Sequence, residues 1–217
     1  MSAEARLREQ ICTIAASMFA RGLTAGSSGN ISARIDDGRL LVTPTGSSFG
    51  ALDPGRLSLF DDEGRLVSGD MPTKEMPLHA AFYETRGART GAVVHLHSSH
   101  SVAVSLLPDI DPDSVFRPLT AYSVMRLGKV KLLPYFRPGD PAMGDAVRGL
   151  AGKRSAVLLA HHGPVVAGKD LEAAAYAMEE LEETAKLTLL TQGLRPKLLS
   201  ETEVRGLVEH FDIAWDD

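Results

Sequence analysis

The 217-residue chain is 44% hydrophobic and 24% charged, a size and balance at which one domain buries a substantial core without staples. Its formal charge of -5 and pI near 5.8 give no electrostatic reason for a nucleic-acid or membrane partner, so neither is expected, and an anionic small substrate needs local positive groups. One cysteine forbids a disulfide framework within the chain, the opening MSAEARLREQ is too charged for a signal peptide, and no apolar run reaches the ~18 residues of a spanning helix, which together predict a cytoplasmic location.

Residues 4–21 predict an amphipathic helix, with Leu7, Ile11, Ala15 and Met18 at helical spacing and Gly22 closing it. Cys12 adjoins that face and reads as a buried, inert thiol. Two Gly/Ser-rich loops, within LTAGSSGNISAR and VTPTGSSFG, flank a hairpin that turns at 36–38 and returns as a strand at 39–43. Glycine lets a backbone approach an oxyanion closely, so these loops suit a phosphate. A second hairpin is expected over 57–67, and PTKEMPLHAAFYETRG reads as a loop entering a helix that ends near Gly87. TGAVVHLHSSHSVAVSLL then reads as a strand running into a helix, GKVKLLPYF as a strand, DPAMGDAVRGLAG as a helix and SAVLLAHHG as a buried strand. LEAAAYAMEELEETAKLTLLTQG is a long helix terminated by Gly193, and Ser200 with Glu203 has the spacing of a capping box for one more helix in the tail. Alternating strands and helices without repeats or linkers predict a single layered α/β domain over 1–217 with a mixed sheet, in which 193–217 is a C-terminal tail.

Five of the seven histidines fall in two clusters, HLHSSH and HHG. Side chains alternate along a strand, so His95 and His97 share a face while Leu96 packs on the other. Two imidazoles so placed can share a divalent ion, and the second cluster offers a third, although position alone does not choose between His161 and His162. Glu75 fits either a first-turn glutamate favoured by the helix dipole or a general acid–base beside a metal. Lys74 fits either a solvated side chain or an anion contact. His79 and His210 read as structural or surface residues, and His100 as a support to the metal site or a helix start.

Beyond these readings, the ordered set GLTAGSSGNISAR, LVTPTGSS, PTKEMPLH, AVVHLHSSHSVAVS and LLAHHGPVVAGKDLEAAAYAMEELEETAKL resembles the class II aldolase/adducin family over residues 4–192. The resemblance implies an αβα fold with a central, largely antiparallel sheet flanked by helices. It also implies a homo-oligomer, by preference a tetramer, and one zinc ion per subunit on three histidines, with Mn2+ or Co2+ as substitutes. Carried over position by position, it places the metal on His95, His97 and His162 and the catalytic acid on Glu75. The phosphate elements fall on Gly29, Asn30, Thr45, Gly46, Thr73 and Lys74, where Lys74 departs from the paired serines of the sugar-phosphate aldolases. Tyr122 matches a tyrosine that reaches a neighbouring subunit's site.

PTGSSFGALDP, DMPTKEMPLH, FRPGDP and EELEETAKL are most similar to the branch that decarboxylates 3-oxo-tetronate 4-phosphate to dihydroxyacetone phosphate and CO2 in four-carbon acid sugar catabolism. That implies a zinc-dependent carboxy-lyase acting through a zinc-stabilised enediolate on a phosphorylated four-carbon keto acid. The alternatives are a fuculose-phosphate-like aldolase that uses the same enediolate, and a non-catalytic adducin-like interaction module.

Overall fold

The computed structural model describes residues 2–215, so Met1 and the last two residues of the expected tail, Asp216 and Asp217, lie outside the described residues. Helix α1 (Ala3–Ala20) starts where Ser2 Oγ accepts the Ala5 amide, and it buries Ile11, Ala15 and Met18 along one stripe. Cys12 is partly buried beside that stripe, where burial, with Glu9 and Asp53 nearby, pushes its thiol up to about 11 and keeps it protonated at neutral pH.

Eight strands follow: β1 (Asn30–Arg34), β2 (Leu40–Val42), β3 (Ser58–Phe60), β4 (Leu66–Ser68), β5 (Ala92–His95), β6 (Lys131–Leu133), β7 (Ala156–Leu159) and β8 (Gly163–Gly168). They form one sheet in the order β4-β3-β2-β1-β5-β8-β7-β6, antiparallel throughout except for the β6–β7 pair. The expected mixed, largely antiparallel sheet is the one observed.

Alternation along the strands divides the core in two. Ile31, Ala92, Val94, Leu96, Leu158 and Val166 pack with α1, α3 (Ser99–Ser105), α4 (Ala121–Leu127) and α6 (Leu171–Leu190). Val93, Val157, Leu159, Val165 and Ala167 face α2 (Met76–Arg86) and α5 (Ala142–Arg148). By the same parity, His95 and His97 belong to the α2 side.

Two local outcomes depart from expectation. The long helix has its last regular residue at Leu190, and the chain leaves it through tighter turns, the Gln192 amide on the Leu189 carbonyl and the Leu194 amide on the Thr191 carbonyl, with Gly193 at φ +77°. Helix α4, capped by the Thr120 hydroxyl on the Ser123 amide, and the central strand β8 were not among the expected elements. The helix expected in the tail is present: α7 (Glu201–Phe211) carries the complete Ser200–Glu203 capping box, buries Val204 and packs on α4.

Candidate metal centre

β5 ends at His95, and the chain continues through buried Leu96 to His97 before turning into α3. On the neighbouring strand, the β7–β8 turn places His161 at φ +59°, exposed and ring to ring with Tyr135, and turns His162 inward. The turn requires glycine at 163. Its φ is +151°, and a Cβ there would stand 2.2 Å from the Leu96 carbonyl oxygen. Geometry therefore chooses His162 over His161.

Glu75 immediately precedes α2 and is 6% exposed, and its side chain makes no capping bond. Its carboxylate faces the histidines instead, which answers the helix-dipole reading. Oε2 lies 3.3 Å from His95 Nε2, and Oε1 lies 3.3 Å from His162 Nε2. His97 Nε2 is 3.1 Å from Nε2 of both His95 and His162. One ligand atom from each of the four residues falls within 4.8 Å of all the others.

These separations fit a first-row divalent ion. Two metal–nitrogen bonds of 2.0–2.1 Å at a tetrahedral angle put their nitrogens about 3.3 Å apart. The hydrogen-bond inventory argues the same way. His95 Nδ1–H donates to the Pro164 carbonyl at 2.8 Å, which leaves Nε2 of the neutral ring as a bare acceptor. A neutral His97 has at most one Nε2–H to share between two facing nitrogens, so a cation satisfies this cluster better than protons do. Burial, the largest influence on both rings, pushes His95 down to about 4 and lowers His97 as well, so both are neutral at pH 7, the form that binds metal. Burial raises the Glu75 pKa, but hydrogen bonds with His162 and Asn30 and the charge of His95 outweigh it and hold the carboxyl well below its ordinary range.

Of the expected phosphate elements, Gly29 and Asn30 adjoin this cluster directly. Asn30 pairs across the sheet with His95 and donates its Nδ2–H to Glu75 Oε2 at 2.7 Å. Gly29, at φ +85°, brings the main chain against the His95 carbonyl, 3.0 Å from where a Cβ would sit. The Ile31 amide donates to Thr43 Oγ1, the Thr73 amide to the Thr43 carbonyl and the Thr45 amide to the Met71 carbonyl. With Pro44 bridging Pro72, these bonds tie the loop that carries Thr45 and Gly46 to the segment that leads through Thr73 and exposed Lys74 to Glu75. Tyr122 is not part of this assembly: it is 58% exposed, stacks with Arg126 and lines a groove that none of Glu75, His95, His97 and His162 borders. His210 is exposed, whereas His79 is wholly buried, so the surface reading holds only for the former.

Glu182 escaped the sequence reading. It occupies the apolar stripe of α6 between Met178 and Ala185, and that unusual place for a carboxylate was the available signal. Oε1 accepts from the His100 amide at 2.9 Å and His100 Nδ1 at 2.8 Å, while Oε2 accepts from the Ser101 amide and hydroxyl at 3.0 and 2.6 Å. Glu182 therefore caps α3, just beyond the turn leaving His97, and His100 lies in the first turn of that helix, bonded to Glu182. Glu182→Gln places amide hydrogens against these donors and is expected to cost about 3 kcal/mol, roughly 8 °C in Tm by calorimetry. Burial raises the Glu182 pKa, but the Ser101 hydroxyl and the two amides lower it further. Its contribution is then present above the ordinary glutamate range and lost as pH falls through the lowered folded value, so variant and parent converge in acid.

Residues 9–189 match the family described as Class II Aldolase and Adducin N-terminal domain, and the chain belongs to that family. It is 51% identical over 205 residues to a 3-oxo-tetronate 4-phosphate decarboxylase of Escherichia coli K12, covering 94% of this chain and 96% of the relative. An enzyme of the same name from Haemophilus influenzae is 48% identical over 202 residues, covering 92% and 95%. The crystal structure of YgbL from Escherichia coli superposes with a TM-score of 0.91 at 47% identity, covering 95% of this chain and 99% of that one. Among the described residues, no helix is long and apolar enough to cross a membrane.

Proposed function

We propose that the chain is a zinc-dependent 3-oxo-tetronate 4-phosphate decarboxylase yielding dihydroxyacetone phosphate and CO2. The observation that carries this is the 51% identity across 94% of the chain to an enzyme of that name. His95, His97 and His162 hold the ion, with Mn2+ or Co2+ as substitutes, and when bound it supplies a Lewis acid for negative charge developing on the substrate's oxygens.

The chain's own residues do the rest. Gly29, Asn30, Thr45, Gly46 and Thr73 anchor the phosphate, so that binding remote from the reacting carbon orients the bond that breaks. Lys74, exposed at the rim, adds positive charge for an anionic substrate. Loss of neutral CO2 leaves the bonding pair on the adjacent carbon as an enediolate, and one proton must be added there. Glu75 is ionised in the free site, and an incoming substrate carboxylate raises its proton affinity by like-charge repulsion. It takes a proton from solvent and delivers it to the carbon, directly or through water.

The proposal extends to a homotetramer in the cytoplasm, with 1–217 as one catalytic domain and exposed Tyr122 reaching a neighbouring subunit's site. The test is zinc-loaded protein with 3-oxo-tetronate 4-phosphate, in which CO2 and dihydroxyacetone phosphate are expected in equal amounts. Turnover only of a ketose phosphate to an aldehyde would instead establish an aldolase. Chelator-free protein without stoichiometric metal would favour an interaction module.

A further inference from the structure

Glu75, His79 and Tyr83 are spaced four apart, and Asn30, Ser32 and Arg34 two apart. Four residues of helix rise about 6.0 Å and two residues of strand about 6.6 Å, so the helix row and the strand row stay in step where α2 lies on β1. The contacts follow that register. Asn30 meets Glu75 and His79, Ser32 meets His79 and Tyr83, and the Arg34 guanidinium lies 4.7 Å over the Tyr83 ring.

The donors in this ladder can be assigned. An ionised carboxylate only accepts, so Asn30 turns its Nδ2–H to Glu75, at 2.7 Å, and its Oδ1 to His79 Nε2. His79 must then carry its proton on Nε2. Its Nδ1 accepts the Ser32 hydroxyl at 2.7 Å, and Ser32 Oγ in turn accepts the Tyr83 hydroxyl at 2.9 Å. Burial pushes the His79 ring down to about 3, so it is neutral and holds one tautomer. An amide passes no proton along such a chain, so the ladder orients groups rather than feeding protons to Glu75.

We infer that His79 is a positioning residue for Glu75: by donating to Asn30 Oδ1 it locks the amide in the orientation that aims Nδ2–H at the catalytic carboxylate. This deepens the proposed function and rests on that reading of Glu75. With His79 gone, the Asn30 amide can flip and present its oxygen to the carboxylate, which repels it.

The test uses the metal-loaded enzyme. His79→Leu is expected to lower kcat about 10- to 100-fold, the range seen when a partner that orients an active group is removed. Metal per chain should stay at the parental value, and KM should rise by less than kcat falls, since Gly29, Thr45, Gly46 and Thr73 still hold the phosphate. His79→Gln keeps an N–H for Asn30 and is expected to recover kcat to within about threefold. In the parent protein, 15N NMR of the histidine rings should show His79 protonated at Nε2, a readout that does not depend on the leucine variant folding. Unchanged kcat in His79→Leu, equal losses in the two variants, or an Nδ1–H tautomer would each overturn the inference. A parent inactive on 3-oxo-tetronate 4-phosphate would overturn the function reading while leaving the tautomer result to stand.

Discussion

His97→Ala is expected to abolish turnover, by about 10³-fold or more, and to leave the purified protein with less than roughly a tenth of an equivalent of metal. His97 is the informative ligand to remove because its Nε2 is the atom closest to both of its fellows, at 3.1 Å from each. It is also only partly buried, beyond the last residue of β5, so its loss leaves the sheet intact. His95 is a poorer probe, since it is fully buried and its Nδ1–H is bonded to the Pro164 carbonyl, so its loss would also disturb the β5–β8 pairing. Metal content by mass spectrometry and CO2 release are the measurements. Chelating the parent should lower its Tm toward that of the variant, because an ion at 100 times its Kd stabilises the native state by about 2.7 kcal/mol. A variant that turned over at the parental rate would remove these histidines from the chemistry.

Glu75→Gln is expected to separate metal binding from proton transfer. Glutamine matches the shape of glutamate but does not exchange a proton near neutral pH, so kcat should fall by about 10²- to 10⁴-fold. Metal content should stay at one equivalent, since three imidazoles remain, and KM should change little because the phosphate elements lie on other residues. Locally, the new amide must turn its oxygen toward Asn30 Nδ2–H, which leaves its N–H2 toward His162. Single-turnover CO2 release and solvent deuterium incorporation into dihydroxyacetone phosphate would locate the defect. CO2 still released rapidly while protonation at carbon lags is the signature of a lost acid, and full turnover with metal bound would exclude Glu75 from the mechanism.

Much of this site is legible in sequence wherever a period encodes direction. Strand alternation is enough to put His95 and His97 on one face, and the Ser200–Glu203 spacing is enough to start α7. The parts that escaped are those in which tertiary contact overrides local preference. β8 begins Gly-Pro and ends in glycine, a composition that argues against a central strand, yet it is held between β5 and β7 on both edges. His161 and His162 are indistinguishable by spacing, and only the left-handed backbone at His161 decides between them. Glu182 stands out in sequence only by its place in the apolar stripe of α6, and its role shows when α3 is seen resting its first amides on it. His79 sits four residues from both Glu75 and Tyr83, but that periodicity acquires meaning only when β1 supplies Asn30 and Ser32 opposite.

The separation of the proposed ligands along the chain bears on how an ion would be chosen in a living cell. His97 and His162 are 65 residues apart, so at about 5–20 residues per second a ribosome makes the third imidazole about 3 to 13 seconds after the first two. During that interval the growing chain offers only a flexible pair, which any competing imidazole-seeking ion can visit and leave. The three-sided arrangement exists only once β8 has paired with β5, strands about 70 residues apart in sequence. For the proposed ligand set, the expected outcome is an ion chosen by the finished enclosure in exchange with the cellular pool, and not by whichever metal the nascent chain met first.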